Sequence, residues 1–482
     1  MARTPTLSFD RGTLILHPPP RGKRWIDYAV WDDRVERFRI PALHYRNLVQ
    51  ALHTEGVQLI DEARDFQSLK LDAAVEMTPY PHQREALQAW YKANRAGVVV
   101  LPTGSGKTYL AQMALQATQR STLIVVPTLD LLHQWYAHLV AAFPDAPVGV
   151  LGGGSHDRTP LLVATYDSAA IYAESLGNQY ALLVFDECHH LPGDFLRVIA
   201  EYALAPYRLG LTATPERADG RHVDLENLIG PEVYRASPDD LTGTVLSTHQ
   251  IVRLKVRLSQ RERERYDALI ATRNTFLSQN GIRLGSLSGW QDFVKASART
   301  QAGRSAMLAH REARAIAFGT DGKLRILADL LAQHHPARTL IFTDDNATVY
   351  RISQTFLLPA ITHKTPVKER HAILDHFRTG AYPVVVTSRV LNEGVDVPEA
   401  SIAIVLSGTG STREYIQRLG RILRRGEGKL AVLYEVIAEA TSEENTSRRR
   451  RPTAQPQPYD QLHLPTADDI AAEGDACYRP SC

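Results

Sequence analysis

VVVLPTGSGKTYLAQMALQA, residues 98–117, is the stretch on which the fold reading turns. Val98 to Leu101 is a short apolar run of the kind shown by a strand buried on both faces. It passes into a glycine-rich loop and then into a stretch compatible with a helix. Gly104 and Gly106 let the backbone turn its N–H groups toward an anion, and the following helix adds its N-terminal dipole. Lys107 is placed to reach β- and γ-phosphates, and Thr108 to hold Mg²⁺. The general pattern has glycine where this chain has Leu101. The alternative is a plain Gly/Ser/Thr turn, and the placement between strand and helix weighs against it.

Outward from this loop, ALLVFDECHH (181–190) is an apolar run ending in two carboxylates. Asp186 at a strand end can orient Mg²⁺ ligands, and Glu187 can take a proton from an attacking water. His189 can link that pair to its surroundings. Alone, an Asp-Glu pair is surface charge or a helix cap as readily as a catalytic pair; following a phosphate loop, the catalytic reading gains. Cys188 and His190 read as packing residues, because no second Cys/His pair stands nearby. In LGLTATPERADG (209–220), Thr212 and Thr214 stand at another strand end, where hydroxyls can sense the carboxylates. In EYIQRLGRILRR (414–425), Arg418, Arg421 and Arg424 share a helical face. Cations stacked in this way call for an anion, either a transferred γ-phosphoryl group or a nucleic-acid backbone. In VTSRVLNEGVDVPEAS (386–401), Ser388 can meet a nucleic-acid phosphate, and Asp396, near Gly394, a ribose or an arginine.

Apolar runs at 98–101, 122–126, 161–165 and 181–185 alternate with amphipathic stretches, and the pattern returns at 339–343, 383–387 and 401–406. This predicts an α/β chain with two domains of one architecture, each built on a parallel sheet. The expected boundaries are 71–235 and 236–440, joined near 236–245. A small α/β domain is expected over 1–70, with strands at Thr13–His17 and Asp27–Trp31 and a helix near Arg46–Thr54. Residues 259–318 form a helical insert. Residues 441–482 are polar, contain an RRRR run and read as a disordered tail.

The 482 residues carry a formal net charge of only +2, so overall charge announces no polyanion partner. Residues 251–320, however, hold thirteen Lys/Arg against five Asp/Glu. Lys295, Arg299 and Arg304, with Arg311 and Arg314, have few acidic neighbours in sequence and are candidates for DNA phosphates; a solvated helix pair is the plainer alternative. The three cysteines have neither metal-ligand nor redox spacing. The first residues lack the apolar core of a signal peptide, and no run is apolar for long enough to cross a bilayer. A cytoplasmic setting without a membrane partner is therefore expected.

In order, the segments resemble the superfamily 2 helicase motifs. YPHQ (80–83) resembles the adenine motif, LPTGSGKT motif I, VVPTLDLLHQW (125–135) motif Ia and VATYDS (163–168) the next DNA-contacting motif. DECH, TATPER, LIFTDD (340–345), SRVLNEGVDVP and QRLGRILR follow as motifs II to VI. Within the superfamily the chain looks most like the XPB (xeroderma pigmentosum group B) branch. Its N-terminal stretch resembles that family's damage-recognition domain, and 259–318 stands where the family has a DNA-gripping thumb.

The resemblance implies two RecA-like motor domains, ATP and Mg²⁺ as cofactors, and movement on single-stranded, forked or duplex DNA, 3′→5′, in repair. It also suggests a nuclease partner. It assigns Tyr80 and Gln83 to adenine, Thr103 and Ser105 to the phosphate loop, and Gln417 to coupling. Thr128, Gln134, Thr165 and Thr343 become DNA contacts, and the arginines of motif VI become arginine fingers. Two departures stand out. The family's Arg-Glu-Asp loop is Arg217-Ala218-Asp219 here, and its Arg-Pro-Tyr-Gln adenine motif begins with Tyr80 and has His82 before Gln83. An RNA helicase, or an inactive nucleic-acid-binding scaffold, are the alternative functions. The presence of Lys107, Asp186, Glu187 and all three arginines speaks against the scaffold.

Overall fold

The computed structural model describes residues 4–20, 23–75, 77–217, 219–241, 248–284, 288–388, 400–407 and 430–450. They fall into two units, the first ending at 241 and the second beginning at 248.

The first unit holds two sheets. In the smaller one, strands β1 (Thr6–Asp10), β2 (Thr13–His17), β3 (Val30–Asp32), β4 (Arg37–Pro41) and β5 (Ile60–Asp61) lie in the order β3-β4-β2-β1-β5. The β1–β2 turn needs Gly12: its φ is +85°, and a Cβ there would come within 2.4 Å of the Tyr202 ring. Leu7, Leu14, Leu16 and Ile40 pack with Leu48 and Leu52 of the helix Tyr45–Thr54, and Leu204 from beyond the domain joins them. Arg46 donates to the carbonyls of Asn94 (2.7 Å) and Pro206 (2.9 Å), so the small domain is docked on the larger one. Sequence reading placed β2 and the helix; where it expected a strand at Asp27–Trp31, Ile26–Tyr28 is a 3-10 turn and β3 begins at Val30, and it missed β1, β4 and β5.

The larger sheet contains β6 (Ala96–Val100), β7 (Thr122–Val126), β8 (Val148–Gly152), β9 (Ser155–His156), β10 (Leu161–Thr165), β11 (Leu182–Asp186), β12 (Tyr207–Thr212) and β13 (Glu232–Arg235). The order is β13-β6-β12-β11-β7-β10-β8-β9, and every pairing is parallel except β8 with β9. The central strands β7 and β11 are buried along their whole length, as a sheet covered on both faces requires. The carboxyl ends of β6, β12, β11, β7 and β10 are neighbours along one edge. In such sheets that edge is where ligands bind.

In the second unit, β14 (Thr248–Val256), β15 (Thr339–Phe342), β16 (Ala360–Ile361), β17 (Val384–Thr387), β18 (Ile402–Val405) and β19 (Leu430–Ala438) lie parallel in the order β14-β19-β18-β15-β17-β16. Between β14 and β15 run the helices Gln260–Gln279, Gly289–Arg299 and Gln301–Gly319. Ala309, Ala313 and Ala317 on the last of these, at helical spacing, let it pack closely on Tyr266 and Leu269 of the first.

Two expected boundaries are corrected. Ala236 donates its N–H to Val100 (3.0 Å) and continues the β13 edge, so 236–241 belongs with the first unit. Residues 442–450 are not a tail: Ser442–Arg450 is a helix, and Glu443 is buried in an ion pair with Lys323, Nζ to Oε2 2.6 Å. The polar composition concealed one buried carboxylate with a buried cation to meet it.

Candidate nucleotide site and nucleic-acid interface

The loop after β6 makes the cradle. Leu101 N–H donates to Thr212 O (2.9 Å), which pins the loop's start to the end of β12. Gly104 and Gly106 both take φ +85°. The positive φ favours glycine at Gly106, and a Cβ there would also displace the Gln83 amide, whose Nε2 would lie 2.3 Å away. Lys107 opens the helix Lys107–Thr118 and donates to the carbonyls of Leu101 (3.1 Å) and Pro102 (3.4 Å), with Thr108 beside it. Ser105 is buried and donates to Pro102 O (2.7 Å); its role is to hold the loop. Thr103 is half-buried on the loop's outer part.

Asp186 closes β11. Its Oδ2 accepts the indole N–H of Trp135 (2.8 Å) and its Oδ1 the N–H of Glu187 (3.0 Å). Burial pushes this carboxyl up to about 6, the Glu187 carboxylate pushes the same way, and the Trp135 N–H and Lys107 charge oppose them. Among the described residues no lysine or arginine forms an ion pair with it. A buried carboxylate beside a phosphate cradle and a threonine hydroxyl fits a hard divalent cation held by few protein ligands plus phosphate.

Glu187 follows at φ +48°, a conformation that turns its side chain toward β12. Thr212 Oγ1 lies 3.2 Å from Glu187 Oε2 and 3.0 Å from His189 Nδ1, and accepts the Thr214 N–H at 3.2 Å. With the Nδ1–H tautomer, His189 donates to Thr212 and Thr212 donates to Glu187. Of the coupling residues expected from sequence, His189, Thr212 and Thr214 are therefore in mutual contact. Arg217 extends the set: it donates to His189 O (2.6 Å) and grips both oxygens of Asp219 (2.6 and 2.9 Å). Arg217 and Asp219 of this loop thus form one ion pair tied to the 186–189 segment through His189 O. Cys188 is buried, and burial raises its thiol pKa, as a packing residue requires.

The adenine segment differs from expectation. Gln83 is buried; its amide donates to Ser105 O (3.2 Å) and Gly106 O (3.3 Å), and its oxygen accepts the Tyr80 N–H (2.9 Å). In this conformation Gln83 serves the phosphate loop. His82 Nε2 also meets Ser105 O, at 2.9 Å. Tyr80 is exposed and its ring stacks on His82.

Among the expected DNA contacts, Thr128 and Thr165 are N-caps, accepting the N–H groups of Leu131 (3.3 Å) and Ser168 (3.2 Å). Gln134 is half-buried on the helix Leu129–Ala142. Thr343 and Ser388 must be corrected. Both are buried, and the Thr343 hydroxyl donates inward to Asp345 O (2.9 Å), so neither presents a hydroxyl to a backbone. On the insert, Lys295, Arg299 and Arg304 are exposed and have no acidic partner among the described residues. Arg314 is paired with Asp344 (2.7 Å) and leaves the candidate set. Gly394, Asp396, Gln417, Arg418, Arg421 and Arg424 lie outside the described residues.

Comparison with known proteins agrees with this geometry. Residues 7–63 match the xeroderma pigmentosum group B helicase damage recognition domain, 76–217 the type III restriction enzyme res subunit, and 322–426 the helicase conserved C-terminal domain. The chain is 41% identical over 422 residues to the DNA 3'-5' translocase XPB2 of Sulfurisphaera tokodaii, an alignment spanning 87% of this chain and 95% of that one. It belongs to the XPB-type helicase family. The DNA 3'-5' helicase XPB of Mycobacterium tuberculosis is 28% identical over 482 residues, covering 96% of this chain and 75% of its own. The Pyrococcus furiosus Hef helicase domain superposes with a TM-score of 0.54 at 20% identity, covering 77% of this chain and 98% of its own, which is a likeness of fold. As an XPB-type helicase of superfamily 2, the chain has two RecA-like domains, one in each unit. No helix among the described residues is long and apolar enough to cross a membrane.

Proposed function

We propose that this chain is a DNA-dependent ATPase that moves 3′→5′ along DNA in repair. What supports the reading most is one observation: Lys107, Asp186, Glu187, His189 and Thr212 are brought together on adjacent strand ends of one sheet. Lys107 and the loop N–H groups hold the β- and γ-phosphates. Thr108 and Asp186 hold Mg²⁺, which supplies charge neutralisation on the phosphates. Glu187 accepts the proton of the attacking water, with Thr212 and His189 fixing its orientation. Gln417, Arg418, Arg421 and Arg424 take the coupling and arginine-finger roles the family resemblance gives them, and Gly394 and Asp396 the ribose side. Thr128, Gln134 and Thr165 face DNA in the first unit, and Lys295, Arg299 and Arg304 grip phosphates in the second. A nuclease partner belongs to the reading on family resemblance alone.

The test is steady-state ATPase with single-stranded, duplex and forked DNA and with RNA. Turnover is expected to rise with DNA and not with RNA. Equal stimulation by RNA would transfer the reading to an RNA helicase, and no stimulation by any nucleic acid to a scaffold.

A further inference from the structure

Two aromatic donors converge on Asp186 from segments expected to touch DNA. Thr128 caps the helix Leu129–Ala142, and Trp135 lies seven residues along it, about 10 Å at the α-helical rise. Leu132, Trp135 and Leu139 form its buried stripe, so the helix sits on the sheet as a rigid rod. At its inner side the Trp135 N–H is spent on Asp186 Oδ2, at 2.8 Å. Thr165 caps the neighbouring helix, and its next residue, Tyr166, donates its hydroxyl to the Asp186 carbonyl at 3.1 Å. The Tyr166 ring packs against Phe185, directly before the catalytic pair, and His190, three residues after it. One side chain thus holds the carboxylate and the other holds the backbone that carries it.

We propose that Trp135 and Tyr166 are positioning residues that join the two DNA-facing segments of the first unit to Asp186, so that DNA engagement sets the orientation of the metal-holding carboxylate. This rests on the ATPase reading above. The indole is a donor only and has one fixed direction. A shift of the capped helix end is carried along the rod to the N–H, and the Asp186 carboxylate turns with it. Hydrogen-bond partners of a metal-binding carboxylate are typically worth 10–100-fold in metal affinity or activity.

The test uses the whole chain and three variants, Trp135→Phe, Tyr166→Phe and Trp90→Phe. Trp90 is the control: it is equally buried in the same unit, and its N–H goes to Arg208 O (2.8 Å), away from Asp186. Two quantities are read. One is the ratio of ATPase with saturating duplex DNA to ATPase without it. The other is Mn²⁺ affinity in the presence of a non-hydrolysable ATP analogue, followed by electron paramagnetic resonance. Trp135→Phe is expected to weaken Mn²⁺ binding by about tenfold or more and to lower the DNA ratio, with DNA affinity near wild type. Tyr166→Phe should lower the ratio with a smaller effect on Mn²⁺. Trp90→Phe should lose thermal stability and keep both. The proposal is overturned if Trp135→Phe keeps the wild-type ratio and Mn²⁺ affinity, or if Trp90→Phe loses as much. If Trp135→Phe does not fold, an unchanged ratio in Tyr166→Phe overturns it. A wild-type chain that DNA does not stimulate would overturn the ATPase reading itself, and the relay with it.

Discussion

Glu443→Ala should unfold the second unit at a markedly lower temperature than the wild type. Glu443 is 3% exposed, and its oxygens accept Lys323 Nζ at 2.6 and 2.8 Å and the Ala438 N–H at 2.9 Å. Lys323 is 1% exposed, and it also donates to Leu406 O. Removing the carboxylate takes the Glu443 charge away from a buried ammonium, and breaking a buried ion pair in this way typically costs about 3–5 kcal/mol. For a unit of roughly 200 residues each kcal/mol moves the midpoint by about 2–4 °C. The expected fall is therefore roughly 6–20 °C. Lys323→Met should cost a similar amount, and Lys323→Met/Glu443→Leu should recover most of it, because an apolar pair of similar volume replaces a buried ion pair at little cost. Differential scanning calorimetry on the four proteins reads this directly. Single variants within about 1 kcal/mol of wild type would mean a solvated surface pair, and residues after 441 would be the tail their composition suggests.

Thr212→Val should lower kcat by roughly 10–100-fold with KM for ATP nearly unchanged, since it removes the hydroxyl that orients Glu187 without touching the phosphate loop; a KM effect alone would place Thr212 in binding. Replacing Lys295, Arg299 and Arg304 together by Gln should weaken DNA binding for all sequences and flatten its salt slope by about 2–3 units. An unaltered slope would remove the insert from the interface. His310 is pushed down to about 4, first by burial and then by Arg273, Arg314 and Arg311. It is neutral in the folded protein, so its contribution is fully present above the unfolded value of 6.5 and is lost as pH falls from there through about 4. Between pH 7.5 and 5 the melting temperature of His310→Phe should drop less than that of wild type, and parallel drops would count against this account.

The first motor domain was legible because its chemistry sits in contiguous words. LPTGSGKT and DECH each follow an uninterrupted apolar strand, and parallel strands buried on both faces cannot avoid that pattern. The short strands β1 and β4 were missed although TLSFD and RFRIP alternate polar and apolar residues, because an alternation of only five residues, half-exposed in the fold, is too short to stand out from its surroundings. Trp135 passed unnoticed for a different reason. An aromatic on the buried stripe of a helix looks like core, and only the fold reveals that its N–H points at Asp186. Thr343 failed as a surface contact because its hydroxyl satisfies itself on the Asp345 carbonyl, and Ser388 because the fold buries it. Glu443 failed because a buried charge can be recognised only with its partner, and Lys323 is 120 residues away.

The central claim is that this site hydrolyses ATP with Glu187 as the base. It is tested most directly by measuring nucleotide binding and DNA-stimulated turnover side by side in Glu187→Gln and Lys107→Ala. Glu187→Gln should bind ATP about as tightly as wild type while turnover falls by roughly 10²–10⁴. Lys107→Ala should lose turnover together with nucleotide affinity. Near-normal turnover in Glu187→Gln would contradict the account.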